Sequence, residues 1–234
     1  MAARAKGLQV ESKPDQSPVS NADKECERLI AGMIEEAFPD DGLLGEEGLR
    51  KPSRSGRQWI VDPIDGTRDF VRGSPLWAVL IGLEAGGEVL AGVAHLPALG
   101  EMYFAARGGG AFRNDSPIAV SAISERNTAV LCLNGLDGMA GDRLGKGLVE
   151  WMAGFWAVRS LGGCPDAMLV ASGRAEAWLE RKAQPWDLAG PKVIIEEAGG
   201  RFFNFDGGSS IYGGNCVVCT PGLEAEMRRF VAGA

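Results

Sequence analysis

An apolar run that ends abruptly in two carboxylates constrains this chain more than any other feature. Gln58 to Val61 is β-prone and reads as a buried strand, and it passes directly into Asp62-Pro63-Ile64-Asp65-Gly66-Thr67. Pro63 stiffens the turn between the aspartates, and Gly66 lets the backbone approach a ligand closely. Carboxylates this close raise each other's pKa and need a compensating partner. A hard divalent cation with oxygen ligands, Mg²⁺ above all, is such a partner. The alternative is a solvated Asp-Pro turn with an N-cap.

The rest of the chain limits what that partner serves. At 234 residues it is one large domain or two small ones, with enough length to bury a core. A hydrophobic share of 45% and a charged share of 24% exclude disordered and fibrous classes. Asp plus Glu number 31 against 24 Lys plus Arg, a net charge of −7. That balance lacks the basic footprint of a nucleic-acid binder and disfavours an anionic membrane surface. A bound cation can still turn one site attractive to a small anion. His95 is the only histidine, so sites built on paired histidines are excluded. It reads as structural. The five cysteines, Cys26, Cys132, Cys164, Cys216 and Cys219, read as free thiols of a reducing cytoplasm. Cys216 and Cys219 have CxxC spacing, but on a strand positions three apart face opposite ways. The first residues have no apolar signal-peptide core, and no apolar run approaches the ~20 residues of a membrane span.

Turn signals stand at Lys13-Pro14-Asp15 and Ser17-Pro18. Ser20 and Asp23 suit a capping box, and Ala22, Cys26, Leu29, Ile30, Met33 and Ala37 follow helical spacing. Residues 78–83 and 89–94 flank Ala85-Gly86-Gly87 as a hairpin, and strands near 102–106 and 118–120 follow. The second half alternates: strands at 129–133, 157–161, 176–179, 201–205 and 217–220, helices at 139–153, 165–172, 188–198 and 222–231. Asp187 is expected near an N-cap. Strands first and alternation second predict α+β joined to α/β. The expected division is 1–125, an α+β part with an antiparallel sheet and the metal motifs, and 126–234, an α/β part.

Two further acidic sites end apolar elements: Gly45-Glu46-Glu47-Gly48, and Trp186-Asp187-Leu188-Ala189-Gly190. Three such sites meeting around metal ions suit hydrolysis of a phosphate ester. Other phosphatase chemistries lack their residues. Two residues, not one, separate Asp62 from Asp65, no CxxxxxR loop is present, and no P-loop is present.

In order, Glu46-Glu47, Asp62-Pro63-Ile64-Asp65-Gly66-Thr67, and Trp186-Asp187-Leu188-Ala189-Gly190 with Glu197-Ala198-Gly199-Gly200 resemble the signature motifs of the inositol monophosphatase family. The resemblance runs over about residues 10 to 232. It implies a layered αβαβα sandwich, a homodimer, and a Mg²⁺-dependent, lithium-sensitive hydrolysis of small phosphate monoesters. It implies that Glu46, Asp62, Asp65, the Ile64 carbonyl and Asp187 hold about two to three Mg²⁺ ions. Thr67, Asp23 and Glu46 become the catalytic residues, with Thr67 and Asp23 orienting and deprotonating water. Gly66 and Thr67 would hold the phosphate through backbone N–H groups.

Glu180 stands where the family binds substrate hydroxyls or amines, and Gly163 is expected beside it. Phe70 to Trp77 and Pro97 to Glu101 are similar to the histidinol-phosphate phosphatase branch, which favours histidinol phosphate over inositol-1-phosphate. That branch carries an Asp where this chain has Gly163, so Gly163→Asp is expected to restore a carboxylate there. A non-catalytic relative that only binds a phosphorylated ligand is the reading of a different class; a full set of metal carboxylates stands against it.

Overall fold

A computed structural model describes residues 7–14, 18–139, 141 and 143–233. The turn residues Asp15 and Ser17 lie outside them. The strands β1 (Val10–Ser12) and β2 (Pro18–Ser20) pair antiparallel and lead into helix α1 (Asn21–Ala37). Then follow β3 (Gly42–Gly45), β4 (Arg50–Lys51), β5 (Arg57–Asp65), the short helix α2 (Thr67–Arg72), β6 (Ala78–Ala85), β7 (Glu88–Leu96), β8 (Glu101–Ala106), β9 (Ala111–Arg113) and β10 (Ser116–Ile118). These form a sheet of eight strands, in the order β10-β9-β8-β7-β6-β5-β3-β4. It is antiparallel except where β3 runs parallel to β5.

The second half supplies β11 (Val130–Asn134), α3 (Leu136–Met139), α4 (Leu148–Met152), β12 (Ala157–Arg159), α5 (Cys164–Ala171), β13 (Ala177–Glu180), α6 (Pro185–Glu197), β14 (Arg201–Phe203), β15 (Cys216–Cys219) and α7 (Glu224–Gly233). Its sheet runs β12-β11-β13-β15-β14, with β12, β11 and β13 parallel.

Alternation along the strands sets the layers. β6 buries every second residue, as a sheet with one fully covered face does. Its Ala78 and Leu80 join Ile60 and Ala94 against Met168 of α5 and Val193 and Ile194 of α6. The same core takes Trp178 and Val218 from the second sheet. The neighbours of Trp178, Ala177 and Leu179, face the other way, onto Leu148, Met227 and Val231. On the outer side of the first sheet, Ala31 and Ile34 of α1 cover Leu43 and Val61. The result is α1, sheet, α5 with α6, sheet, and an outer helical layer: the αβαβα sandwich. Cys216 packs in one core and Cys219 in the other, as their spacing predicted, so they form no pair.

The helix α6 fits onto the first sheet through missing side chains. A Cβ on Gly82 would lie 2.5 Å from the Ala189 Cβ, and one on Gly190 2.8 Å from the Val93 carbonyl. The Ala189-Gly190 pair therefore lets the helix backbone sit directly on β6 and β7.

Three expectations differ from what forms. The helix predicted over 139–153 is a turn through the described residues 143–147 and a helix of five residues, with Gly147 at a left-handed φ of 72°. On α1 the buried residues are Ala22, Asp23, Glu27, Ala31 and Ile34, while Leu29 and Met33 are 54% and 73% exposed. The helix is turned so that two acids point inward. Finally, α6 begins at Pro185, earlier than the expected 188, with Gln184 as N-cap; Asp187 lies near that cap, as expected, as the third helical residue.

Candidate active site

A regular strand would send Asp62 and Asp65 to opposite faces. The β5–β6 register prevents this: Asp62 pairs with Leu80 and Asp65 with Ala78, so β5 spends one extra residue between them. Such a bulge re-aims side chains, and Pro63, which lacks an N–H, is tolerated there. The Ile64 N–H donates to Asp62 Oδ1 at 2.9 Å, closing the turn. Asp65 Oδ2 accepts the Cys164 N–H at the start of α5, also at 2.9 Å. From the other side, Asp187 completes a capping box and accepts the Gln184 N–H at 2.7 Å. Oxygens of Asp62, Asp65 and Asp187 then lie within 4.8 Å of one another.

That convergence is electrostatically costly. Burial, and then repulsion from Glu46, Asp65 and Asp187, raises the Asp62 pKa well above the usual carboxylate range. Burial and Asp187 push Asp65 up to about 7, and burial, with Glu46 and Glu180, brings Asp187 to about 7 against the pull of the Gln184 N–H. Three oxygen donors that resist ionisation next to one another fit a hard divalent cation.

Glu46 lines the same pocket, and Lys13 Nζ lies 2.7 Å from both Glu46 and Glu47. Burial disfavours the Lys13 ammonium, but the two carboxylates outweigh it and raise its pKa. No basic residue stands within the motifs, so this cation comes from outside them. The Glu46 loop is held by two residues that no motif contains. Glu27, 6% exposed on α1, accepts the N–H groups of Glu47 at 2.8 Å and Leu49 at 3.0 Å. Arg50 donates to the Gly45 carbonyl and lies 5.6 Å over the Trp186 ring, linking the loop to the start of α6. The only sequence signal for Glu27 is its place four residues after Asp23, on one helical face.

Thr67 opens α2. Its hydroxyl lies 3.2 Å from Asp23 Oδ1 and 3.1 Å from the Ile64 carbonyl. Asp23 is fully buried and accepts the Ser20 N–H at 2.9 Å. The capping box and the Thr67 contact thus use different oxygens of one carboxylate. Gly66 has φ 83°, and a Cβ there would meet the Leu76 carbonyl at 2.9 Å, so only glycine fits.

A pocket of about 280 Å³ opens over these groups, lined among others by Glu46, Asp65, Gly66, Thr67, Gly163, Glu180 and Asp187. Asp62, Ile64 and Asp23 lie buried behind that lining. Glu180 ends β13 at 8% exposure, and burial pushes its carboxyl up to about 7. His95 sits on β7 outside the pocket.

The Gly163 expectation needs correction. Gly163 lines the pocket, but at φ 61° and ψ −125°, and a Cβ would fall 2.9 Å from both Asp65 oxygens. Buried Asp166 fixes this turn by accepting the N–H groups of Leu161 and Gly162. No carboxylate can be restored at this position without displacing Asp65.

The profile of the inositol monophosphatase family matches residues 1–232. The histidinol-phosphatase of Chlorobaculum parvum is 45% identical over 213 residues, 91% of this chain and 82% of that one. The inositol-1-monophosphatase of Rhizobium meliloti is 38% identical over 217 residues, 91% of this chain and 81% of its own. The crystal structure of extragenic suppressor protein SuhB from Bartonella henselae superposes with a TM-score of 0.91 at 32% identity, over 98% of this chain and 90% of that one. With that profile spanning nearly its whole length, the chain belongs to the inositol monophosphatase family and is a phosphatase.

Proposed function

We propose that the chain is a Mg²⁺-dependent phosphomonoesterase that hydrolyses a small phosphorylated metabolite, histidinol phosphate in preference to inositol-1-phosphate. The observation that carries this is the meeting of Asp62, Asp65 and Asp187 within 4.8 Å, beside the Thr67–Asp23 pair. Asp62, Asp65, Asp187, Glu46 and the Ile64 carbonyl are the groups that would hold about two to three Mg²⁺ ions. Bound there, Mg²⁺ would supply Lewis-acid polarisation of the phosphate ester and of water.

The chain's own residues do the rest. The Thr67 hydroxyl, held between Asp23 and the Ile64 carbonyl, orients the attacking water and relays its proton toward Asp23. The N–H groups of Gly66 and Thr67, at a helix start without intrahelical acceptors, hold phosphate oxygens. Glu180, at the end of β13 in the pocket lining, accepts a substrate hydroxyl or ammonium. The 45% identity to a histidinol-phosphatase supports the preference for that ester, and the 38% identity to an inositol-1-monophosphatase supports the second.

The same reading makes the enzyme lithium-sensitive and homodimeric. Exposed Leu29 and Met33, and the apolar outer face of the first sheet at Ile81, Leu83, Phe104 and Phe112, support a surface for self-association. A cytoplasmic location is supported by five free cysteines, four of them buried. No helix among the described residues is long and apolar enough to cross a membrane. Residues 1–125 and 126–234 are read as two subdomains that share one core.

A phosphate-release screen over histidinol phosphate, inositol-1-phosphate, fructose-1,6-bisphosphate and 3′-phosphoadenosine 5′-phosphate tests the substrate. Highest kcat/KM on histidinol phosphate is expected. A higher value on any of the other three overturns that preference, and release from none overturns the activity.

A further inference from the structure

One carboxylate in the pocket has no assigned task. Asp69 is the third residue of α2, lines the pocket and is half-buried. Among the described residues its carboxylate makes no side-chain hydrogen bond or ion pair. It lies against the Gly162–Gly163 turn: a Cβ on Gly162 would be 3.8 Å from Asp69 Oδ2. The next residue, Gly163, has Asp65 against it at 2.9 Å. Asp65 thus serves the carboxylate trio, while Asp69 stands at the neighbouring residue of the same turn, outside that trio.

A carboxylate left half-buried without a partner is an unfilled acceptor, and a ligand cation relieves its desolvation. Glu180 lines the same pocket and is also acidic. Two exposed cations, Arg68 and Lys182, share the lining and would draw an anionic group instead. A side chain on Gly163 would crowd the Asp65 carboxylate at a positive φ, whereas Asp69 already stands against this turn from α2.

We propose that Asp69 is a specificity-determining residue whose carboxylate accepts an ammonium group of the substrate, selecting phosphomonoesters that carry a primary amine. This rests on the phosphomonoesterase reading and adds to it the residue that sets substrate class.

The test compares kcat/KM on histidinol phosphate with that on its deaminated analogue, identical except for the amine, in wild-type protein and in Asp69→Asn. Wild type is expected to prefer the amine. Asp69→Asn should cut the amine-to-neutral ratio by about tenfold, through KM, the scale of a partly desolvated charge pair. Raising pH through the amine's own pKa, about 9–10, should erase the wild-type preference and change the variant's ratio little. An equal loss on both substrates, an unchanged ratio, or a wild type that favours the neutral ester overturns the role of Asp69 while leaving the phosphatase reading intact. Turnover of neither ester by wild type with Mg²⁺ overturns both. If Asp69→Asn fails to fold by circular dichroism, the wild-type pH profile decides: a preference that survives deprotonation of the amine overturns the proposal.

Discussion

Thr67 and Asp65 stand two residues apart and are given different work, which single substitutions separate. Asp65→Asn removes a charge from the trio, so Mg²⁺ affinity and turnover should fall together. Thr67→Ala leaves the trio intact and should cut turnover by about 10²–10⁴ with little change in Mg²⁺ affinity, the usual scale for a positioned acid–base group. Calorimetric Mg²⁺ titration beside kcat checks this; equal affinity losses in both variants contradict the assignment. The trio also sets a pH dependence. Burial and repulsion from neighbouring carboxylates raise Asp65 and Asp187 from the ordinary aspartate range, about 4, to about 7 in the folded protein. The stabilisation from holding these protons is complete below about pH 4 and is lost as pH rises through about 7. In chelator, Tm should therefore fall between about pH 5 and pH 8, and added Mg²⁺ should raise Tm more at the higher pH. A larger Mg²⁺ gain at the lower pH contradicts this. At this scale much of the site was legible: Glu46, Asp62, Asp65, Thr67 and Asp187 all sit in recognisable strings. Lys13 and Glu27 were not, because each meets the Glu46 loop through a contact far away in the chain, and Asp69 was not, because it lines the pocket with no motif of its own to mark it.

The helix α6 carries Asp187 to the site, and its seating depends on glycines in a different half of the chain. Gly82→Val should drive a side chain into Ala189, cost about 1–3 kcal/mol, and weaken Mg²⁺ binding by shifting the helix start. Gly32 of α1 is the control: nothing lies within 4 Å of a Cβ there, so Gly32→Ala should stabilise by about 0.5–1 kcal/mol and leave Mg²⁺ binding alone. Urea unfolding and Mg²⁺ titration of the two variants check the pair; a Gly82→Val protein as stable as wild type contradicts the packing account. Elements were well legible where burial alternates, as in β6 and the β6–β7 hairpin. The buried face of α1 departs from its apolar spacing for a physical reason. Apolar spacing chose Cys26, Leu29 and Met33, but buried Asp23 and Glu27 are satisfied by backbone N–H groups, which periodicity does not register. The helix over 139–153 failed where glycines at 141, 145 and 147 outweighed its apolar spacing.

Across the whole molecule the two halves share their largest core. Ile60, Leu80 and Ala94 of the first sheet and Trp178 and Val218 of the second close on the same α5–α6 layer. The two halves should therefore unfold together: urea titration followed by tryptophan fluorescence and by far-UV circular dichroism should give one coincident transition. Two separated transitions contradict a shared core. That same layer brings together the ends of β5, α5 and α6, and so the carboxylates that no single element holds. The most direct test of the account is phosphate release from histidinol phosphate by the wild-type protein after exhaustive chelation, then on stepwise return of Mg²⁺. The account predicts no release above background without the cation and full recovery with it; release that persists in chelator contradicts it.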